Sequence, residues 1–173
     1  MVDTNYTMKP SYKSGIITGI GVGLFAIGAF SFFNWLNTKN SWGIQPATIR
    51  GISGLLTVLI QAIGIYFSMS GTRKVLNGVI TYSQSFKAGF IVAVITALIT
   101  AFCGLIYCTL INPGYADYMV REAHQTMIAS GKSSKQIADE LVAVKWQFST
   151  GGQVIQALVA QTFVGTLISL IMA

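Results

Sequence analysis

Charged residues are scarce in this chain, at 9% against about a quarter in an ordinary soluble domain. Acidic residues are the scarcest. The five of them are Asp3, Asp117, Glu122, Asp139 and Glu140, so the long apolar runs contain none. That weighs against a carrier driven by protons or cations, because such pathways usually expose ionisable groups inside the membrane. His124 is the single histidine, and only Glu122 and Gln125 stand near it in sequence. Neither a metal cluster nor an oriented histidine base can be assembled from that. The two cysteines, Cys103 and Cys108, lie in one apolar run; five positions on a helix set side chains roughly 140° apart, which does not make a redox or metal pair. No basic run exists either. The eleven Lys and Arg residues behind the formal charge of +6 are scattered in ones and twos, so the pI of 9.5 does not trace a nucleic-acid footprint. Gly19-Ile20-Gly21-Val22-Gly23 sits inside an apolar run with no strand before it and no Gly-Lys-Ser/Thr after it, which excludes a phosphate loop.

What the chain has in abundance is apolar surface. Hydrophobic residues make up 53% of it, mean hydropathy is +0.63 and glycines number 18. This is the composition of a membrane bundle, in which glycine serves as a contact residue. A span needs roughly 20 apolar residues, and four runs reach that length, at about 14–36, 51–70, 87–111 and 153–173. The first is too long for a signal-peptide core and has no small-residue cleavage site. Gly71–Gln84 is rich in turn residues and reads as a loop. After the third run, Asn112-Pro113-Gly114 breaks the helix.

From about residue 114 to 149 the chain turns polar. Tyr115–Ser130 is helix-forming, Gly131 supplies a stop, and Ser133 with Gln136 has capping-box spacing for a second helix. Ile137, Leu141, Val144 and Phe148 fall on one face of that helix. The pattern predicts an amphipathic hairpin against the bundle or the membrane surface. The fold class is therefore all-α, a single polytopic membrane domain with four transmembrane helices and a helical hairpin between the third and fourth.

Three groups of residues are candidates for function. Small residues four apart, Gly15, Gly19 and Gly23 in the first span and Gly89, Ala93, Ala97 and Ala101 in the third, form ladders for helix contact. Gln61, near the middle of the second span, and Gln153 and Gln156, on one face of the fourth, are the polar intramembrane candidates, either as interhelical glue or as the lining of a path. Lys13, Lys87, Trp35, Trp42 and Trp146 are interfacial anchors. Lys87 either holds its helix at anionic headgroups or reaches a polar partner such as Gln84 or a bound anion.

The segment Ser11-Tyr12-Lys13-Ser14-Gly15-Ile16 is echoed 74 residues later by Ser85-Phe86-Lys87-Ala88-Gly89-Phe90, and without a gap the two ladders coincide. A duplication would make two hairpins of like orientation. Four spans place both termini with Lys9, Lys13, Arg73, Lys74 and Lys87, against Lys39, Arg50, Arg121, Lys132, Lys135 and Lys145 on the other side. Totals do not choose, but the Arg73 loop packs its charges beside the membrane while the hairpin dilutes its own, and Lys9 and Lys13 precede the first span against Lys39 after it, which favours the first set inside.

The run Gly78 to Phe90, the Asn112-Pro113-Gly114-Tyr115 break, the Tyr118-Met119 helix start and the Ala129-Ser130-Gly131-Lys132 turn resemble the bacterial integral-membrane family catalogued as domain of unknown function 4199. The resemblance covers nearly the whole chain. It implies a four-span bacterial protein with a helical insert before the last helix, and it implies no activity. Members tend to carry basic residues after the fourth span, where this chain reads Leu170-Ile171-Met172-Ala173. The expectation is a non-enzymatic component of a bacterial inner membrane with cytoplasmic termini and no cofactor. Its partners would be lipid and either further copies of itself or another membrane protein. The alternative is a small permeation protein using Gln61, Gln153 and Gln156.

Overall fold

A computed structural model describes residues 8–40 and 46–173; the side chains of residues 33, 34, 36–40, 46, 47, 49 and 50 fall outside that description. Among the described residues the chain is helical throughout, with no strand. Its elements are α1 (Lys9–Asn40), α2 (Pro46–Val75), α3 (Tyr82–Ile106, running on through a π turn at Tyr107–Ile111), α4 (Tyr115–Ala129), α5 (Ser134–Phe148) and α6 (Thr150–Met172). Four of these are long and apolar enough to cross a membrane: Lys9–Phe32, Gly51–Val75, Tyr82–Ile111 and Thr150–Met172.

The helices outrun the spans expected from hydropathy. α1 begins at Lys9, with Pro10 in a first turn that needs no amide donor, and its 32 residues reach about 48 Å at 1.5 Å per residue, well beyond a hydrocarbon core of about 30 Å. Backbone hydrogen bonding continues where apolar composition stops. The loop expected over Gly71–Gln84 shrinks to the six residues 76–81. α2 closes with Asn77 at φ 56° and Gly78 at φ 90°, and Arg73 Nε donates to Gly78 O at 3.0 Å. Thr81 then caps α3, its hydroxyl accepting from Gln84 N while Gln84 Oε1 accepts from Thr81 N. Thr150, Gly151 and Gly152, ahead of the apolar run that starts at about 153, already belong to α6. Ser149 ends α5 and caps α6 at 3.0 Å from Gly152 N, and Gly152 lies so close under Trp146 O that a methyl group would not fit there.

Contacts along the helices give their directions. Gly15, Gly19 and Gly23 meet Ile95, Ile99 and Cys103 in rising order, so α1 and α3 are parallel. Gly64 meets Thr18 and Gly71 meets Pro10, which makes α2 antiparallel to α1. Gly89 meets Ser169 and Gly165 meets Ala93, which makes α6 antiparallel to α3. α3 packs on α1, α2 and α6. The α2–α3 loop and the end of α6 share one end of the bundle, joined by Tyr82 Oη donating to Leu170 O at 3.1 Å. The hairpin α4–α5 occupies the other.

The hairpin is built as its sequence suggests. Gly131 at φ 73° ends α4, with Lys132 N donating back to Met127 O. Ser133 and Gln136 form the capping box of α5. Phe148 is buried and Ile137, Leu141 and Val144 half-buried, whereas Val142 and Trp146 are exposed. Docking is aromatic: Tyr115 packs edge-on against Phe30, Tyr107 and Phe148 with centroids 6.2, 5.6 and 6.5 Å away.

Candidate functional site within the bundle

The interior of the bundle carries more polarity than Gln61 alone. Ser53, Thr57, Gln61, Ser68 and Thr72 are all buried, and their spacing of four or seven places them on one face of α2. Thr18, Ser11, Ser85, Thr96 and Ser169 are buried with them from α1, α3 and α6. Interhelical bonds use part of this seam. Gln61 Nε2 donates to Gln161 O at 3.0 Å, Ser68 Oγ to Ala88 O at 3.0 Å, and the hydroxyls of Ser11 and Thr72 meet at 3.4 Å. The small residues make this reach feasible: a methyl at Gly165 would stand 2.5 Å from both Gln61 Nε2 and Ala93 Cβ.

The Ser68–Ala88 bond and the Met69–Gly89 contact set an antiparallel register. Carried along both helices, it puts Gln61 level with Thr96 and Thr57 level with Thr100. Three buried atoms here have no hydrogen-bond partner: Gln61 Oε1, Thr96 Oγ1 and Thr100 Oγ1. Elsewhere Thr109 and Thr166 donate to the carbonyl four residues earlier, Leu105 O and Thr162 O, at 2.8 and 2.6 Å. Among the described residues, the buried side-chain atoms without a partner are those three, and Thr100 also borders the cavity nearer the hairpin. Ser53, Thr57, Ser68 and Thr72 were legible as hydroxyl residues repeating at helical spacing within an apolar run, a signal that a search for strongly polar side chains passes over.

The structure separates the three glutamines. Gln153 and Gln156 both donate to Gln147 O, at 2.9 and 2.8 Å, and so fasten the α5–α6 junction. Gln61 meets α6 at Gln161, five residues past Gln156, or about 7.5 Å of axial rise.

The ladders are occupied unequally. Gly15 and Gly19 receive the bulky Ile95 and Ile99 and Gly23 the smaller Cys103, whereas Gly89 and Ala93 receive Ser169 and Gly165; Ala97 and Ala101 are buried. The two echoed segments therefore have different neighbours. Lys13 and Lys87 are both exposed, and Gln84, considered as a partner for Lys87, closes the cap with Thr81. Trp35 is exposed and stacks on Phe32 at 6.2 Å, Trp146 is exposed, and Trp42 lies outside the described residues. Among the described residues no group of three or more His, Cys, Asp or Glu side chains could hold a metal.

A second feature lies nearer the hairpin. A partly open cavity of about 140 Å³ is lined by Ile27 and Phe30 of α1, Thr100, Cys103, Tyr107 and Cys108 of α3, Tyr115 of α4 and Gln153 of α6. The cysteines are free thiols. Both border this one space from different positions on α3. The regular helix gives way to the π turn just beyond Cys103, at Tyr107, and its end is held by Asn112 N donating to Tyr107 O and Asn112 Nδ2 to Tyr107 Oη, at 2.7 and 3.2 Å.

The chain is an all-helical bundle with four helices long and apolar enough to cross a membrane, a buried hydroxyl seam and an aromatic-docked hairpin before the last helix. Residues 13–173 match the family described as a protein of unknown function (DUF4199), and the chain belongs to that family. No curated protein and no solved structure matched the chain.

Proposed function

We propose that the protein is a non-catalytic component of a bacterial inner membrane, acting as an accessory, scaffold or oligomer-forming subunit with both termini in the cytoplasm. The observation that carries this reading is where the polar groups of the spans go. Gln61, Ser68, Ser11 and Thr72 bind across helix interfaces, and Gln153 with Gln156 binds the junction carbonyl. Side chains used this way hold helices together and leave little to a substrate. α6 supports it further, since its span is only 11% buried within the chain and leaves Phe163, Leu167 and Ile171 uncovered.

A permeation role is favoured by one observation, the unpaired Gln61 Oε1, Thr96 Oγ1 and Thr100 Oγ1 in the same seam. One purification separates the two. The protein extracted into lipid nanodiscs is expected to run as a defined oligomer or with a stoichiometric partner, and vesicles containing it to leak small solutes no faster than empty ones. A lone monomer that accelerates solute flux would replace the scaffold reading with the permeation one.

A further inference from the structure

We infer that the cavity beneath the hairpin holds an alkyl chain of a membrane lipid. Every lining residue except Tyr115 belongs to a helix segment long and apolar enough to cross a membrane, toward the end of the bundle that carries the hairpin. Its volume of about 140 Å³ is close to that of engineered apolar cavities, about 150 Å³, that stay dry and take up molecules the size of benzene. It suits a segment of chain and excludes a whole lipid.

The lining is mostly apolar, and two of its polar groups are engaged, while Thr100 Oγ1, which also borders the space, has no hydrogen-bond partner. The Tyr107 hydroxyl accepts from Asn112, and the Gln153 amide donates to Gln147 O. Gly104 is the second observation. It lies inside α3 and lines the cavity, yet no atom stands within 4 Å of where a Cβ would be. Unlike Gly19 or Gly165 it serves no close helix approach, and its effect is to leave the space open at the expense of a poor helix former. Hydrocarbon chains surround the spans and the cavity is partly open, so a lipid chain is the alkyl group most readily supplied.

The test uses the full chain in vesicles of phosphatidylethanolamine and phosphatidylglycerol doped with a phospholipid bearing a photoactivatable group near its chain end. After irradiation, label should appear on the segment 103–108. Gly104→Leu and Ala26→Leu, which fill the cavity from two helices, should each cut that label tenfold or more while label at the exposed Phe163 stays constant. If Gly104→Leu fails to insert, Ala26→Leu decides. Unchanged label at 103–108 in a filled variant that inserts, or none there in the parent, overturns the inference. Mass spectrometry of the intact protein in mild detergent checks the source: a bound lipid mass lost on filling supports it, and a non-lipid apolar compound lost instead overturns the lipid assignment.

Discussion

At the scale of single residues, the same side-chain type does different work in different surroundings. Gly19 exists for Ile99: a methyl group there would stand 2.8 Å from Ile99 Cδ1, so Gly19→Leu must push α1 away from α3. The expected loss is about 1–3 kcal/mol, as for overpacking in general, read as a lowered midpoint in thermal unfolding in detergent. An unchanged midpoint would mean that α1 and α3 are not apposed there. Gln61 argues the other way. Its hydrogen bond to Gln161 O is worth about 0.6 kcal/mol by membrane double-mutant cycles, whereas burying its unpaired Oε1 costs about 1–3 kcal/mol. The second effect wins, so Gln61→Leu should leave stability unchanged or raise it. A fall of more than about 1 kcal/mol would show that Oε1 has a partner, a bound water or a solute.

Elements here end by local chemistry and are placed by tertiary contact. α5 starts at Ser133, whose Oγ accepts from Gln136 N at 3.4 Å while Gln136 Oε1 accepts from Ser133 N at 3.0 Å. Ser133→Ala should cost the hairpin about 1 kcal/mol, measured as faster amide exchange over 134–137 with α6 unaffected. Exchange that spreads into α6 would mean that hairpin and bundle open as one unit. The Lys132–Glu140 pair at 2.7 Å adds little, because both side chains are more than a third exposed. The hairpin is held to the bundle chiefly by Tyr115, Met119 and Phe148, which are buried among Tyr107, Phe30 and Ile27.

For the whole molecule, charge is distributed unequally between the two ends. Lys9, Lys13, Arg73, Lys74 and Lys87 lie at the end where α2 meets α3, with no acidic residue among the described residues there, whereas Asp117, Glu122, Asp139 and Glu140 all lie in the hairpin. Basic residues flanking the spans are what an anionic cytoplasmic leaflet retains. In a background where Cys103 and Cys108 are replaced by Ala, Lys135→Cys should react with an impermeant thiol reagent added outside spheroplasts, and Val79→Cys should not. The reverse pattern would invert the proposed topology.

Composition and periodicity alone determined the all-helical class, the four long apolar helices, the hairpin with its stop at Gly131 and cap at Ser133, and the break at Asn112-Pro113. These features follow from local rules: apolar length, the positive φ that glycine tolerates, and the donor that proline lacks. Helix ends were misplaced where hydrogen bonding outlasts hydropathy, as at Lys9, Tyr82 and Thr150. Only the tertiary structure decided what each polar or small residue faces. It gathered Ser53, Thr57, Ser68 and Thr72 into a seam with Gln61, sent Gln153 and Gln156 to Gln147 O, and brought Cys103 and Cys108 to one cavity. In a membrane every face of a span is apolar enough to be outside, so hydropathy does not say which face turns inward. Helix-to-helix contact does, through groups as small as the hydrogen atom of Gly165 against Ala93.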